Sequence, residues 1–549
     1  MKFKINEEKT KLVLTKSNTE EYNQIKRILN PYVDGYRFMP RFKMGVWNGK
    51  IDFFKNGFIN LGLWKVVYDS CKEYGYKFNI ENPELFPKEK LDKKEIEDFC
   101  FDFFKNHRIQ DKKDKKGNII KGEKFMPYSH QIDAIYKILK YKYGLVEIAT
   151  AGGKSLVIST IIFYILKNIK PDAKFLIIVP NISLVTQMYD DILDYNLGFN
   201  NENLNPLDIN LLEIMSDKPR KVRDNKEPNI IIGTYQSLEK LSYKFFKQFD
   251  MVATDEAHRA KAISINKILT KTFGYANYRF GVTGTLPAKN SSNRLTIESL
   301  MGPNLFSIKA KKLQDKGLIS PIKIKSLMLN YDDYDFAKNI YAIKKRGGGK
   351  QAYQLERKYI HNSEKRKYFI VKLIKKLKTN SLVLFHAVQH GTDLYNFCRD
   401  NIPNIDFYYV DGSVKSDKRE YIKKQLEETS SKNIKVGICS FGTFSTGINV
   451  RAINNIIFVD SFKSDQIIRQ SIGRGLRLHK DKVLLVVYDI VDIFSKKYTN
   501  TLLQHYKYRR DKIYKEQKFD YEEIKISLPG TKDSRRIKLN KLNDNNKKN

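Results

Sequence analysis

From about residue 125 onward, short apolar runs alternate with stretches whose apolar side chains recur at helical spacing. GLVEIAT (144–150), KFLIIVP (174–180), PNIIIGT (228–234), FDMVATDE (249–256) and YRFGVTGT (278–285) form one series, with amphipathic segments such as ISLVTQMYDDIL between them. A second series follows: SLVLFHA (381–387), IDFYYVDG (405–412), IKVGICS (434–440), NIIFVD (455–460) and VLLVVYDI (483–490). Runs this short and this continuously apolar predict strands buried on both faces, with the intervening helices as their cover. The fold class is therefore α/β: one parallel sheet with helices on both faces over residues 125–320 and a second over 321–495. Residues 1–95 read as a small α+β module and 496–549 as a basic helical extension with a disordered tail. Residues 96–124 read as a linker, because KNHRIQDKKDKKGNIIKGEK (105–124) is almost without apolar side chains. The charged stretch from Tyr331 to Tyr368 is a helical excursion from the second domain, with a flexible tip at RGGGK (346–350).

Composition adds a partner class and removes others. At 549 residues, 41% hydrophobic and 12% aromatic, the chain is too long for one ordinary core and too apolar to be disordered. Lys and Arg outnumber Asp and Glu by 100 to 62, a formal charge of +38 that attracts a polyanion, nucleic acid first. Charge alone fits a merely lysine-solvated surface as well. Cys71, Cys100, Cys398 and Cys439 have no paired spacing, which argues against a zinc site or a disulfide framework. The most apolar run, Leu156 to Leu166, is too short to span a bilayer, so the expected location is cytoplasmic.

The chemistry concentrates at strand ends. In GLVEIATAGGKS, Thr150, Ala151, Gly152, Gly153, Lys154 and Ser155 follow a strand and open a helix, where backbone N–H groups and the helix dipole favour phosphate. Lys154 would reach the β and γ phosphates of ATP, and Ser155 would hold Mg2+. Ile148 stands where the general phosphate-loop pattern has glycine, and a glycine-rich turn that binds nothing would read similarly. FDMVATDEAH then ends a strand on Asp255 and Glu256. Asp255 would orient the metal and Glu256 would act as general base toward water. Alone, these acids could be a solvated helix start; after a phosphate loop they are specific.

With Asp255-Glu256-Ala257-His258 and ATAGGKS, the chain resembles the DEAH-type helicases of superfamily two, a resemblance that implies two tandem RecA-like motor domains. Further motifs follow in order. GVTGTLP (281–287) resembles the motif that couples hydrolysis to domain movement, through Thr283 and Thr285. Tyr128, His130 and Gln131 resemble the segment whose glutamine reads the adenine edge. FGTFSTGINV resembles motif V, with Thr443, Thr446, Gly447 and Asn449, although many relatives have aspartate where Asn449 stands. QSIGRGLR matches QxxGRxxR of motif VI, with Gln470, Arg474 and Arg477. Its two arginines share a helix face and would clamp the γ-phosphate, an effect worth roughly 10³ to 10⁵ in rate. Nucleic-acid contacts are implied at Pro180, Asn181, Thr234 and Gln236 in the first domain, and at Phe385, Gly412 and Thr443 in the second. Such contacts to phosphates carry no sequence information.

The N-terminal segment PYVDGYRFMPRFKMGVWNGKIDFF, followed by NLGLW, resembles the accessory domain of the bacteriophage UvsW recombination helicases. Most aromatics between Tyr32 and Phe54 are expected to build that domain's core, with the basic residues outside. The resemblance implies a helicase acting on single-stranded and branched DNA and on RNA:DNA hybrids in a phage-infected host's cytoplasm. Its implied roles are Holliday junction branch migration, fork regression and R-loop removal in recombination, repair and replication control. A single-strand-binding or recombinase protein is a conceivable partner, and the chain is expected to be a monomer with no membrane contact. An ATP-switched nucleic-acid clamp and a repair or RNA helicase of the same superfamily are the alternatives.

Overall fold

The structure is a computed structural model that describes residues 1–86, 88–107, 112–113, 119–120, 125–198, 206–215, 218–219, 227–261, 263–272, 275–428, 433–446, 450–461, 464–479 and 482–528. The chain divides into two compact units, Met1–Lys309 and Ala310–Asn549.

The first unit opens with a five-stranded sheet in the order Phe54–Lys55, Phe58–Asn60, Lys11–Lys16, Lys2–Ile5, Asn79–Ile80. Phe3, Ile5, Leu12, Ile25, Phe54, Ile59, Leu63 and Val67 close its core, which also takes in Leu295 from the helix Ser292–Met301. Gly62 makes that docking feasible: a Cβ there would lie 2.1 Å from the carbonyl oxygen of Glu298. Asn293 of the same helix donates to Asp34 at 2.5 Å. The expectation that the aromatics of 32–54 are mostly core holds for Phe53 and Phe54 but fails for Tyr32, 51% exposed, and Phe38, 82% exposed. The loop that carries them has only short helical turns, Tyr36–Phe38 and Pro40–Lys43, with no apolar face to bury.

The second sheet of this unit runs Lys218–Pro219, Leu211–Met215, Ile230–Thr234, Phe175–Val179, Met251–Asp255, Tyr278–Thr283, Tyr143–Ile148, Asn304–Ile308. All its pairings are parallel except that of the short Lys218–Pro219 edge. One face packs Leu145, Leu176, Ile178, Ile231 and Val252 against Ile265, Ile268, Leu269, Ile297 and Leu300. The apolar run Leu156–Leu166 is the buried middle of the helix Lys154–Asn168. No described helix is long and apolar enough to cross a membrane.

The second unit holds a seven-stranded, wholly parallel sheet in the order Asp406–Val410, Lys435–Ser440, Ser381–Phe385, Asn455–Phe458, Leu485–Ile493, Ile322–Asn330, Asp520–Ser527. The excursion after Asn330 is three helices, Tyr334–Lys345, Gly349–Asn362 and Glu364–Lys376. RGGGK is the tight turn between the first two, with Gly347 at φ 83°.

Two boundary expectations change. Residues 96–104 belong to the helix Lys93–Phe104, whose Ile96, Phe99, Cys100, Phe103 and Phe104 are buried, so they are packed structure rather than linker. The helical extension after residue 495 is in part a strand: Asp520–Ser527 pairs with Ile322–Asn330, and Arg509 is buried against Asp489. The final residues, 529–549, lie outside the described residues.

Candidate functional site

Three neighbouring strands of the first unit, Met251–Asp255, Tyr278–Thr283 and Tyr143–Ile148, are parallel, so their C-terminal ends lie along one edge of the sheet. Open parallel sheets bind ligands at such edges. Here the edge collects Asp255, Thr283 and the loop from Thr150 to Gly153.

That loop turns on Ala151 at φ 68° and Gly153 at φ 80°. Left-handed backbone at Gly153 lets the helix begin at Lys154, so its first free N–H groups face the loop. His130 and Gln131 brace the turn from below: His130 Nε2 lies 3.0 Å, and Gln131 Nε2 3.1 Å, from the carbonyl oxygen of Gly152. Gln131 Oε1 accepts from the Tyr128 backbone N–H at 2.7 Å. Both ends of this buried glutamine are therefore engaged by protein, with one N–H and one lone pair committed to the turn. Ser155 Oγ lies 3.4 Å from the Tyr195 hydroxyl.

Asp255 and Glu256 follow the central strand, Glu256 at φ 51°. Left-handed backbone at a non-glycine residue costs about 1–3 kcal/mol and gathers at functional sites. Asp255 Oδ1 accepts from the Glu256 N–H at 2.8 Å. Burial, then the charge of Glu256, pushes the Asp255 carboxyl up to about 6. Burial would raise Glu256 too, but the Lys154 ammonium and His258 overcome it and hold it at about 2. The lysine of the loop and the two acids thus share one electrostatic environment, with the base ionised.

His258 links this pair to the next strand. Its Nδ1 is 3.2 Å from Glu256 Oε2 and 2.8 Å from Thr283 Oγ1. Thr283 donates its hydroxyl proton to the Thr285 carbonyl at 2.9 Å, so its oxygen accepts from His258 Nδ1–H. The Leu286 N–H in turn bonds Glu147 on the phosphate-loop strand at 3.3 Å. His258, His130 and Glu147 are connecting residues for which motif reading assigned no role. A buried polar side chain between two motifs was the available signal.

The other expected positions divide. Pro180 is buried, and Asn181 caps the helix Ile182–Leu197 by accepting from Leu184 N–H. Thr234 is 5% exposed and its hydroxyl caps the next helix, whereas Gln236 is exposed. In the second unit, Gly412 is exposed, and Thr443 is buried, accepting from Ser440 Oγ at 2.8 Å. Phe385 is a correction: it is fully buried, stacked on Tyr409, and its ring belongs to the sheet's core, so it is no surface contact for nucleic acid. The reason is the two-residue period of its strand, which turns Val383 and Phe385 to the same packed face. Gln470, Arg474 and Arg477 are half-buried on and just after the helix Asp465–Gly475. Gly447 and Asn449 lie outside the described residues, as does the side chain of Thr446.

A phosphate loop, an acid pair and a threonine loop on three adjacent parallel strands, in a chain whose second parallel sheet carries a QxxGRxxR helix, define a superfamily-two helicase. Three family models match successive parts of the chain: DNA helicase UvsW, N-terminal, over 9–81; type III restriction enzyme, res subunit, over 124–288; and helicase conserved C-terminal domain over 364–479. The ATP-dependent DNA helicase UvsW of Enterobacteria phage T4 is 30% identical over 525 residues, 92% of this chain and 96% of that protein. The crystal structure of T4 UvsW aligns over 96% of this chain and 99% of its own, at 27% identity and a TM-score of 0.44. The DNA-bound type ISP restriction-modification enzyme LlaBIII shares the fold, with a TM-score of 0.55 at 14% identity over 76% of this chain and 32% of that one. The chain belongs to the UvsW family of ATP-dependent DNA helicases.

Proposed function

We propose that the chain uses ATP hydrolysis to remodel branched DNA, by junction branch migration, fork regression and R-loop unwinding. The observation that carries the ATPase part is the linked series Asp255, Glu256, His258 and Thr283 on one sheet edge, within the electrostatic reach of Lys154. The branched-substrate part rests on the family and on the accessory module docked beside the motor sheet through Gly62 and Leu295.

In this reading, N–H groups of Thr150 to Ser155 and the Lys154 ammonium hold the phosphates of ATP. A hydroxyl at the first helical turn and a carboxyl at a strand end are hard oxygen donors that suit Mg2+, so Ser155 and Asp255 are its proposed ligands. Bound there, the ion would neutralise charge on the β and γ phosphates. Glu256, ionised well below neutrality, accepts the proton of the attacking water. Its partner His258 senses the change and passes it to Thr283 and the loop up to Leu286, the only described path of side-chain hydrogen bonds from the acid pair to that loop. Arg474 and Arg477 serve as the γ-phosphate clamp, with Gln470, Gly447 and Asn449 as further nucleotide contacts. Asn181, Gln236 and Gly412 remain the proposed contacts to the DNA backbone, with Pro180, Thr234 and Thr443 shaping the loops.

The test is steady-state hydrolysis without nucleic acid and then with single-stranded DNA, duplex, four-way junction and RNA:DNA hybrid at one salt concentration. Strong stimulation that is greatest on the junction supports the reading. Lys154→Ala should abolish the stimulated rate, by about 10² or more, and leave DNA affinity within about twofold. A clamp that uses ATP only as a switch would show a single turnover instead, and stimulation by RNA alone would point to an RNA helicase.

A further inference from the structure

The arginine helix Asp465–Gly475 ends in a way that its own sequence does not supply. A helix leaves its last carbonyl groups without intrahelical partners. Here three consecutive carbonyls are satisfied by two residues from elsewhere in the chain. Lys482 Nζ donates to the Gly475 carbonyl at 2.9 Å, Ser320 N–H to that of Leu476 at 2.8 Å, and Ser320 Oγ to that of Arg477 at 3.2 Å. Both donors are buried, Ser320 completely and Lys482 to 6% exposure. Gly475 is itself pressed on the sheet, since a Cβ there would meet Ile456 at 2.8 Å and Leu485 at 2.9 Å.

Lys482 does more than cap. The same ammonium donates to the Arg451 carbonyl at 2.7 Å. Arg451 stands two residues beyond Asn449, at the end of the motif V segment. Its N–H and that of Ala452 are held in turn by the Glu427 carboxylate, at 2.6 and 3.3 Å. The helix Phe441–Thr446, which opens motif V, also packs on the arginine helix. One buried cation therefore joins the backbone downstream of motif V to the last turn beneath Arg474 and Arg477.

We infer that Lys482, seconded by Ser320, is a positioning residue for the two motif VI arginines and ties their setting to motif V. Packing alone would not need this ammonium. Burial lowers it to about 8, Glu427 opposes that, and Arg451 and Arg477 add to it, so the charge is kept against a desolvation cost. A cation at a helix C-terminus complements the dipole, and two carbonyls fix its place. Arg474 precedes the first capped carbonyl by one residue and Arg477 bears the last one. A shift of that turn moves both guanidinium groups together, and misplacement of about 1 Å at a reacting centre costs on the order of 10²-fold in rate.

The inference rests on the reading of Arg474 and Arg477 as nucleotide clamp, and the experiment separates the two. It uses the full chain, DNA-stimulated ATP hydrolysis and binding of a fluorescent non-hydrolysable ATP analogue. Lys482→Met keeps the length of the stem and removes the donors. It should lower kcat by about tenfold or more, with KM for ATP and DNA affinity within about twofold and one analogue bound per chain. Ser320→Ala, which leaves the backbone donor in place, should lower kcat by about threefold and guards against a Lys482 variant that fails to fold. Arg474→Lys should reduce kcat alone, and the double variant Lys482→Met with Arg474→Lys should lose less than the product of the two single effects. Full activity of Lys482→Met and Ser320→Ala beside a crippled Arg474→Lys overturns the inference and leaves the clamp standing, and so does a fully multiplicative double variant. Full activity of Arg474→Lys and of an Arg474→Ala control overturns the clamp itself.

Discussion

Glu256 and His361 show how the same force, burial, is resolved in opposite ways. At Glu256 the nearby Lys154 and His258 win, and the carboxylate stays ionised where a base is needed. At His361 burial wins: it lowers the imidazole below its ordinary value although Asp460 accepts from it at 3.0 Å, with His390 and Arg366 adding to the lowering. His390 lies with its Nδ1 3.1 Å from the same carboxylate oxygen, and the two imidazole rings stack with centroids 3.8 Å apart and 8° between their planes. The His361 hydrogen bond and the His390 approach thus converge on one oxygen of Asp460, and the two stacked rings close a compact cluster around that carboxylate. Its other oxygen accepts from the His386 and Ala387 N–H groups and so holds the loop after Phe385. His386 is lowered as well, by burial and by Arg357. A lowered histidine binds its proton more readily in the unfolded chain, so the second unit should lose stability as pH falls through 6.5, the ordinary histidine value. Melting temperatures from about pH 5 to 7.5 should rise with pH, and less steeply for His361→Asn. Equal slopes for the two proteins would rule this out. Asp460, held far below its ordinary range chiefly by the two histidines against burial, acts in a separate and lower window.

Among elements, the strand Leu485–Ile493 carries the most unusual load: two fully buried aspartates, each paired with a buried arginine. Asp489 takes Arg509 through both oxygens, at 2.8 and 3.2 Å, and the Tyr514 hydroxyl at 2.7 Å. Asp492 takes Arg366 at 2.8 Å and the Tyr331 hydroxyl at 2.7 Å. The first pair fastens the C-terminal helix Thr501–Arg509 to the sheet, the second the helix Glu364–Lys376. Removing one partner strands the other charge, so Arg509→Met should cost about 3–5 kcal/mol in chemical denaturation. A loss below about 1 kcal/mol would show that the pair adds little. These pairs also explain where sequence reading stopped. Strands of continuous apolar residues were readable because both of their faces are covered. Ile322–Asn330 and Asp520–Ser527 were not, since IKIKSLMLN and DYEEIKIS mix apolar with charged and polar residues, the second of them on the edge strand that covers the first. The burial of Arg509 was not legible in the basic extension because its partner lies 20 residues away on another element. The nucleotide site was readable for a different reason: phosphate chemistry demands particular residues at contiguous positions. Phe385 was misplaced because motif position says nothing about which face of a strand a side chain takes.

At the scale of the whole molecule, the charge of +38 is the property that no single motif explains. Few of the described lysines are neutralised in depth: most ion pairs among the described residues, such as Lys65 with Asp69 and Lys311 with Asp315, lie on the surface and contribute little. The positive field therefore persists into solvent and is available to a polyanion. Contacts of this kind release counterions, so DNA affinity should fall linearly on a log–log plot as salt rises. Between 50 and 200 mM the loss should be roughly 10³ to 10⁵ if about six to ten phosphates are engaged. Two duplexes of equal length and unrelated sequence should bind within about threefold of each other at every salt concentration, because the contacts read backbone and not bases. Fluorescence anisotropy with labelled duplexes and junctions measures both quantities. A steep slope with equal affinities locates the binding energy in the phosphates and leaves junction preference to shape. A flat slope, or a strong preference between the two sequences, would mean that base contacts dominate and that the charge serves chiefly to keep the surface hydrated.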